Sequence, residues 1–160
     1  MKIVASIEAR MKSRRFPGKV LKKILNRPIL WYIVERLKKS RFIDETVIAT
    51  STNRLDDAIV DFAIKNNIKY FRGDEEDVLG RLLETHRYMN TTLVVEITGD
   101  SPLIDPQIVD RAIELFLYNT YIINSIGTAD RTHVRDNRVD YISNTLMRTY
   151  PIGMRVQVFK

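Results

Sequence analysis

Arg10, Lys12, Arg14, Arg15 and Lys19 bring five positive charges into ten residues without a carboxylate among them, and Pro17-Gly18 turns the chain in their midst. Arginine offers planar, bidentate donors and lysine a mobile point charge, a combination suited to a triphosphate. The loop is not a P-loop: Gly18-Lys19 is followed by Val20 rather than Ser or Thr, and Ser13 stands where the motif's first glycine would fall. No G-x-G-x-x-G is present either. The grip must therefore come from the side chains of Arg10, Arg15 and Lys19, helped by backbone N–H groups near Gly18. The second chemistry-bearing group is Asp100, within Gly99-Asp100-Ser101-Pro102. Its carboxylate reads either as a magnesium ligand or as a brace for a tight turn.

Other polar candidates read more simply as structure. Asp105-Pro106 suits a helix N-cap and first-turn proline. The run Asp74-Glu75-Glu76-Asp77 is a solvated charge cluster ahead of a helix, with Asp77 favourable at its positive end. His86 shares a helix face with Leu79, Leu82 and Met89, as a packed imidazole does, and His133 stands alone in an aperiodic stretch. No hydroxyl–histidine–carboxylate order stands out, and the histidines lack zinc spacing. The absence of cysteine excludes disulfides, thiolate zinc sites and cysteine nucleophiles, and fits a cytoplasmic protein.

The elements that must position these groups alternate between strand and helix. Ile3–Ile7 is a β-branched apolar run, a buried strand that empties into the basic loop. Pro28 opens a helix to about Lys39 with Leu30, Ile33, Val34 and Leu37 at helical spacing. Thr46–Thr50 is a second strand, and Thr52 or Asn53 caps a helix presenting Leu55, Ala58, Ile59, Phe62 and Ala63. Ile68–Phe71 is a third strand, Arg72–Asp77 a charged loop, and a helix over 78–88 is expected to bury Leu79, Leu82, Leu83 and Met89. Leu93–Thr98 is a fourth strand, followed after Asp105 by a helix with Val109, Ala112, Ile113, Phe116 and Leu117 on one face. Tyr121–Ile123 reads as a fifth strand, with strand-like fragments again at Tyr141-Ile142 and Val156–Phe159.

This alternation predicts an α/β fold with a mostly parallel sheet and helices on both faces. Ligands in such sheets sit beyond the carboxyl ends of the strands, where the strand order reverses. With the order 3-2-1-4, the basic loop after the first strand faces Asp100 after the fourth, and phosphates meet a magnesium-binding carboxylate there.

At 160 residues the chain is one domain by length, spanning positions 1–160. From Arg10 to Arg27 there are eight basic residues and no acidic one, more than the whole formal charge of +6. A duplex-binding surface spreads its cations over a face or along a helix, so this confinement favours a nucleotide over a nucleic acid. No apolar stretch approaches the roughly 20 residues of a spanning helix, so no membrane partner is expected. Charges resume at Glu8 after a short strand-like run, which predicts no signal peptide.

The motif Ile7-x-Ala9-Arg10-Met11-x-Ser13-x-Arg15-x-Pro17-Gly18-Lys19-Val20-Leu21, with Pro28 and Arg36-Leu37 downstream, resembles the opening of the sugar cytidylyltransferases. The resemblance is nearest to the spore-coat polysaccharide (SpsF-type) branch, related to acylneuraminate and 3-deoxy-manno-octulosonate cytidylyltransferases. It continues through Thr50-x-Thr52, Phe71-Arg72-Gly73-x-Glu75-x-Asp77-Val78-Leu79-x-Arg81, Ile97–Pro106 and Asp140–Thr145. The resemblance implies a Rossmann-like, GT-A-like three-layer sandwich and Mg²⁺-dependent transfer of CMP from CTP to a sugar acid or sugar phosphate, in polysaccharide biosynthesis. It implies that Arg10, Arg15 and Lys19 hold the triphosphate, that Ala9 and its neighbours, with Ser13 and Gly18, line the nucleotide pocket, and that Arg72, Gly73 and Thr98 lie near cytosine or ribose. Asp100 would bind the metal, Lys19, Arg15 and Asp100 would be catalytic, and Tyr141 and Asn144 would face the sugar. A homodimer is also implied.

Two departures stand out. Where that branch commonly reads Gly-Leu-Asp-x-Glu-x-Phe, this chain reads Gly153-Met154-Arg155-Val156-Gln157-Val158-Phe159, replacing both carboxylates. The chain also stops at Lys160, directly after a strand, so a truncated domain is expected. A nucleotide-binding domain without turnover is therefore the alternative reading, and a nucleic-acid binder using the basic segment is a third.

Overall fold

The computed structural model describes residues 1–13, 15–126, 141–143 and 157–159. Strands β1 (Ile3–Glu8), β4 (Glu45–Ser51), β5 (Lys69–Gly73) and β6 (Leu93–Thr98) alternate with helices α1 (Ile29–Leu37), α2 (Asp57–Lys65), α3 (Val78–Tyr88) and α4 (Pro106–Ile126). A small hairpin, β2 (Lys23–Ile24) and β3 (Arg27–Pro28), precedes α1, and β7 (Tyr141–Ser143) and β8 (Gln157–Phe159) complete the set. The main sheet runs β5-β4-β1-β6-β8-β7. Its first four strands are parallel, and β8 is antiparallel to both β6 and β7. The order expected for the first four strands is thus the observed one.

Alternation along β1 explains the layers. Ile3, Ala5 and Ile7 join the main core with Leu30, Ile33 and Leu37 of α1, Ile59 and Ala63 of α2, and Val109 and Ile113 of α4. Val4 points the other way and packs with Val47 and Met89, the residue that follows α3. Burying β1 between two layers explains why its sequence is apolar throughout rather than alternating.

Three expectations are corrected. Tyr121–Ile123 belongs to α4 and not to a fifth strand. No proline or glycine interrupts the chain between Pro106 and Gly127, so nothing stops the helix at an apolar, β-branched run. In α3, Leu79 is 75% and Leu83 49% exposed; the inward face is Arg81, Leu82, Thr85 and His86, with Met89 beyond. Asp77 caps this helix through Gly80 N–H, and the stem of Arg81 packs against Gly73, which together turn that face inward. Before α2, Asn53 caps a 3-10 turn over Arg54–Asp56, leaving Leu55 exposed outside the buried face of Ile59 and Ala63.

Candidate active site

Adjacent strands β1 and β6 end in register, Glu8 opposite Thr98. Gly99 N–H donates to Glu8 O at 2.8 Å. A Cβ at Gly99 would lie 2.5 Å from that oxygen, so only glycine lets the two exits run this close. Beyond them opens a cavity of about 580 Å³.

The basic loop is held at its start and closed on itself. Met11 N–H donates to Asp56 Oδ1 at 2.7 Å, and Ser51 donates to Asp56 Oδ2 from its N–H at 3.1 Å and its hydroxyl at 2.5 Å. Asp56 is 1% exposed, a buried carboxylate satisfied by three donors. Gly18 N–H returns to Met11 O at 2.8 Å, with Gly18 in the left-handed region at φ 68°. A 3-10 turn over Lys19–Leu21 follows and buries Val20. This geometry aims Lys19 across the cavity, where its Nζ donates to Asp100 Oδ2.

Burial would raise the Asp100 carboxyl, but hydrogen bonds from Lys19 and Thr98 and the ammonium's charge outweigh it, holding the group below its usual range. Glu75, bonded by Asn53 at 2.7 Å and paired with Lys12 at 3.1 Å, is lowered by those two contacts. Backbone N–H groups of Asp77 and Glu76 lower Asp74. The acidic run thus caps and braces the β5–α3 turn. Among the described residues, no three His, Cys, Asp or Glu side chains converge as a metal cluster.

Of the residues expected at the site, Ala9, Arg10, Ser13, Arg15, Lys19, Thr98 and Asp100 line the cavity. Gly18 does not line it and acts through its turn. Arg72 and Gly73 do not line it either, and both lie on β5 rather than in a loop. Arg72 donates to Ser51 O and Asn53 O, at 2.9 and 3.0 Å, and pairs with Asp57 at 2.7 Å, bracing the end of β4. Tyr141 lies on β7, two strands from β6 across β8. Asn144 and Arg155 fall outside the described residues.

Glu8, Lys12, Val20, Glu76, Val78, Gly99 and Arg81 also line the cavity and were not singled out for the site. For Arg81 a signal was present: it follows the capping Asp77 by four and adjoins Leu82 on the face of Thr85 and His86. His86 is packed as expected, its Nδ1 3.0 Å from Thr91 Oγ1.

A cytidylyltransferase family model matches residues 4–144. The chain is 36% identical over 131 residues to the spore coat polysaccharide biosynthesis protein SpsF of Bacillus subtilis, covering 77% of this chain and 55% of that one. A solved cytidylyltransferase from Leptospira borgpetersenii serovar Hardjo-bovis superposes with a TM-score of 0.84 at 34% identity, covering 100% of this chain and 60% of that one. The structure of CMP:2-keto-3-deoxy-manno-octonic acid synthetase complexed with CTP gives 0.64 at 26% identity, covering 74% and 48%. The chain spans about half the length of the curated relatives it matches.

Proposed function

The chain belongs to the cytidylyltransferase family, and from that premise we propose that residues 1–160 form a single nucleotidyltransferase domain that binds CTP with Mg²⁺ and transfers CMP to a sugar acid or sugar phosphate. The observation that carries this reading is the meeting of Lys19 and Asp100 across the cavity, a phosphate-seeking cation against a carboxylate. Arg10, Arg15 and Lys19 hold the triphosphate, while Ala9, Ser13 and the Gly18 turn shape its seat. An acceptor oxygen attacks the α-phosphorus, the bond from that phosphorus to the bridging oxygen breaks, and pyrophosphate departs. Catalysis is positioning and neutralisation: Lys19 and the arginines stabilise charge gathering on the leaving phosphates. Tyr141 and Asn144 belong to the sugar side.

Asp100 is the residue that would hold Mg²⁺. Magnesium is commonly held by one or two carboxylates together with phosphate oxygens and water, and a single ionised aspartate beside a cationic loop fits that habit. The ion would supply charge neutralisation at the phosphates. The reading extends to polysaccharide biosynthesis, spore coat included, in the cytoplasm, and to a homodimer. The spore-coat relative's name supports the pathway part of this reading; among the described residues, no helix is long and apolar enough to cross a membrane.

The test is calorimetric titration with CTP, UTP, ATP and GTP in the presence of Mg²⁺, followed by a pyrophosphate-release assay over a panel of sugar acids and sugar phosphates. Preferential CTP binding with release is expected. Oligonucleotide affinity that falls steeply with salt and resists competition by CTP would overturn the reading. A second reading, binding without turnover, is favoured by Gln157, which lies buried on β8 at a position where the SpsF-type branch commonly carries a carboxylate. Its signature is CTP affinity with no release.

A further inference from the structure

Arg10, Lys12, Arg15 and Lys19 line the nucleotide cavity, whereas Lys22, Lys23 and Arg27 of the same basic stretch do not. These three stand on or beside the β2–β3 hairpin, where every residue from Lys22 to Arg27 is exposed. Lys12 and Lys19 are paired with Glu75 and Asp100, but the three hairpin cations have no ion-pair partner among the described residues. The hairpin tip is Leu25-Asn26, between the paired residues Ile24 and Arg27. Both tip residues have positive φ, 45° and 69°. A two-residue turn of this kind selects asparagine or glycine, and a leucine there is strained. The chain nevertheless places a leucine at the tip, 87% exposed, next to an exposed Ile24.

Aromatic rings extend this apolar tip into a patch with the cations set among them. Lys22 Nζ lies 5.8 Å from the ring centroid of exposed Phe16, and the Arg27 guanidinium sits 5.1 Å from that of Trp31. Trp31 meets Tyr32 edge to face at 5.1 Å, and the Tyr32 hydroxyl donates to Ile24 O at 2.6 Å, tying the hairpin to α1. A nucleic acid would engage the cations but leave Leu25 and Ile24 against phosphates or water. A lipid surface suits both sets: apolar side chains enter the acyl boundary, while cations and aromatic rings stay at the level of the headgroups.

We propose that the β2–β3 hairpin is a peripheral membrane contact that docks the chain on an anionic lipid surface, with Leu25 and Ile24 inserted and Lys22, Lys23 and Arg27 on the headgroup phosphates. Charge complementarity selects this occupant, because no carboxylate stands between Arg10 and Arg27 to repel anionic lipid. Neither term is strong by itself; a few cations and one small apolar insertion together give reversible association. Such a contact needs no spanning helix, and the expectation of no membrane partner rested on that criterion alone. The contact uses none of the residues that line the cavity, so the cavity's cations stay free for phosphates.

The experiment sediments the chain with vesicles of phosphatidylcholine alone, or of phosphatidylcholine and phosphatidylglycerol at about 7:3, in about 0.05 and 0.5 M salt. Wild type is expected on the anionic vesicles at low salt, and about tenfold less at high salt or on phosphatidylcholine alone. Trp31, the single tryptophan, is expected to shift its emission to the blue on the anionic vesicles. Leu25→Gly suits the positive φ and leaves the charge unchanged, so it keeps the fold and is expected to weaken vesicle binding about tenfold. Leu25→Asn, a residue the turn also favours, is the second variant and is expected to behave alike. Lys22→Gln together with Lys23→Gln is expected to cost about twentyfold. Three results would overturn the proposal: no association with anionic vesicles, an emission of Trp31 that vesicles leave unmoved, or association that both Leu25 variants keep, which would mark a general attraction to a basic chain. If those variants weaken self-association or oligonucleotide binding and spare vesicle binding, the hairpin serves a second copy or a nucleic acid and the proposal fails. A wild-type chain that binds vesicles but no CTP overturns the functional reading alone and leaves this contact standing.

Discussion

Lys19 Nζ and Asp100 Oδ2 form an ion pair between residues 81 positions apart, joining the loop after β1 to the turn after β6. Their side chains are 28% and 42% exposed, so the pair adds at most about 1 kcal/mol to stability. On the function proposed above its significance is chemical: it would hold a phosphate-binding cation and a carboxylate in register before substrate arrives.

Lys19→Ala or Asp100→Ala is therefore expected to lower pyrophosphate release by about a hundredfold or more, while the unfolding free energy moves by about 1 kcal/mol or less. Turnover assays beside urea denaturation separate the two effects. Unchanged turnover in either variant would remove both residues from the reaction.

Asp56 pins the start of the basic loop to the end of β4 through Met11 and Ser51. Asp56→Asn turns an amide donor toward groups that themselves donate. We expect a loss of about 2–4 kcal/mol in urea unfolding and a raised KM for the nucleotide, because the loop is no longer held where Lys19 crosses the cavity. A normal KM in a folded variant would show that the loop keeps its course without this anchor.

Gly99→Ala places a methyl group 2.5 Å from Glu8 O and 3.2 Å from Ala9 Cβ. The nearer neighbour is backbone, so β1 and β6 must part at the cavity's floor. A loss of about 1–3 kcal/mol is expected, with weaker nucleotide binding. Thermal melts and titration of the same sample test both, and native values for each would mean the exits yield without cost.

His86 is lowered from 6.5 to about 4 by burial. The folded chain thus binds fewer protons at this site than the unfolded chain between those values, and stability rises with pH across that window. The contribution is complete above about pH 6.5 and is lost as pH falls toward 4, up to roughly 3 kcal/mol. Urea midpoints between pH 7 and 4.5 should show this slope in wild type and a flatter one in His86→Gln. Equal slopes would assign the acid sensitivity to other groups.

Much of this fold was legible because local signals agreed with it. Helix α3 runs from Val78 to Tyr88 as its pattern predicts, and Asp77 caps it. Failures came where packing overrides pattern. Leu79 and Leu83 read as core by hydrophobicity, yet α3 turns Arg81 and Thr85 inward instead. Tyr121–Ile123 read as a strand because β-branched runs favour one, but with no breaker before it the helix simply continued.

At the site, residue type and spacing were enough to single out the proposed phosphate end. Five cations in a turn-rich loop after a buried strand suggest phosphate binding without coordinates, and given the order 3-2-1-4, which the sheet adopts, the basic loop faces Asp100. Only the tertiary structure decided the other wall. It turned Arg72 toward Ser51, Asn53 and Asp57, away from the cavity, and brought Arg81 in with an unsatisfied Nε. The physical reason is that a charge cluster declares itself along the chain, whereas whether a lone arginine braces a turn or faces a ligand depends on which acceptors the fold puts around it.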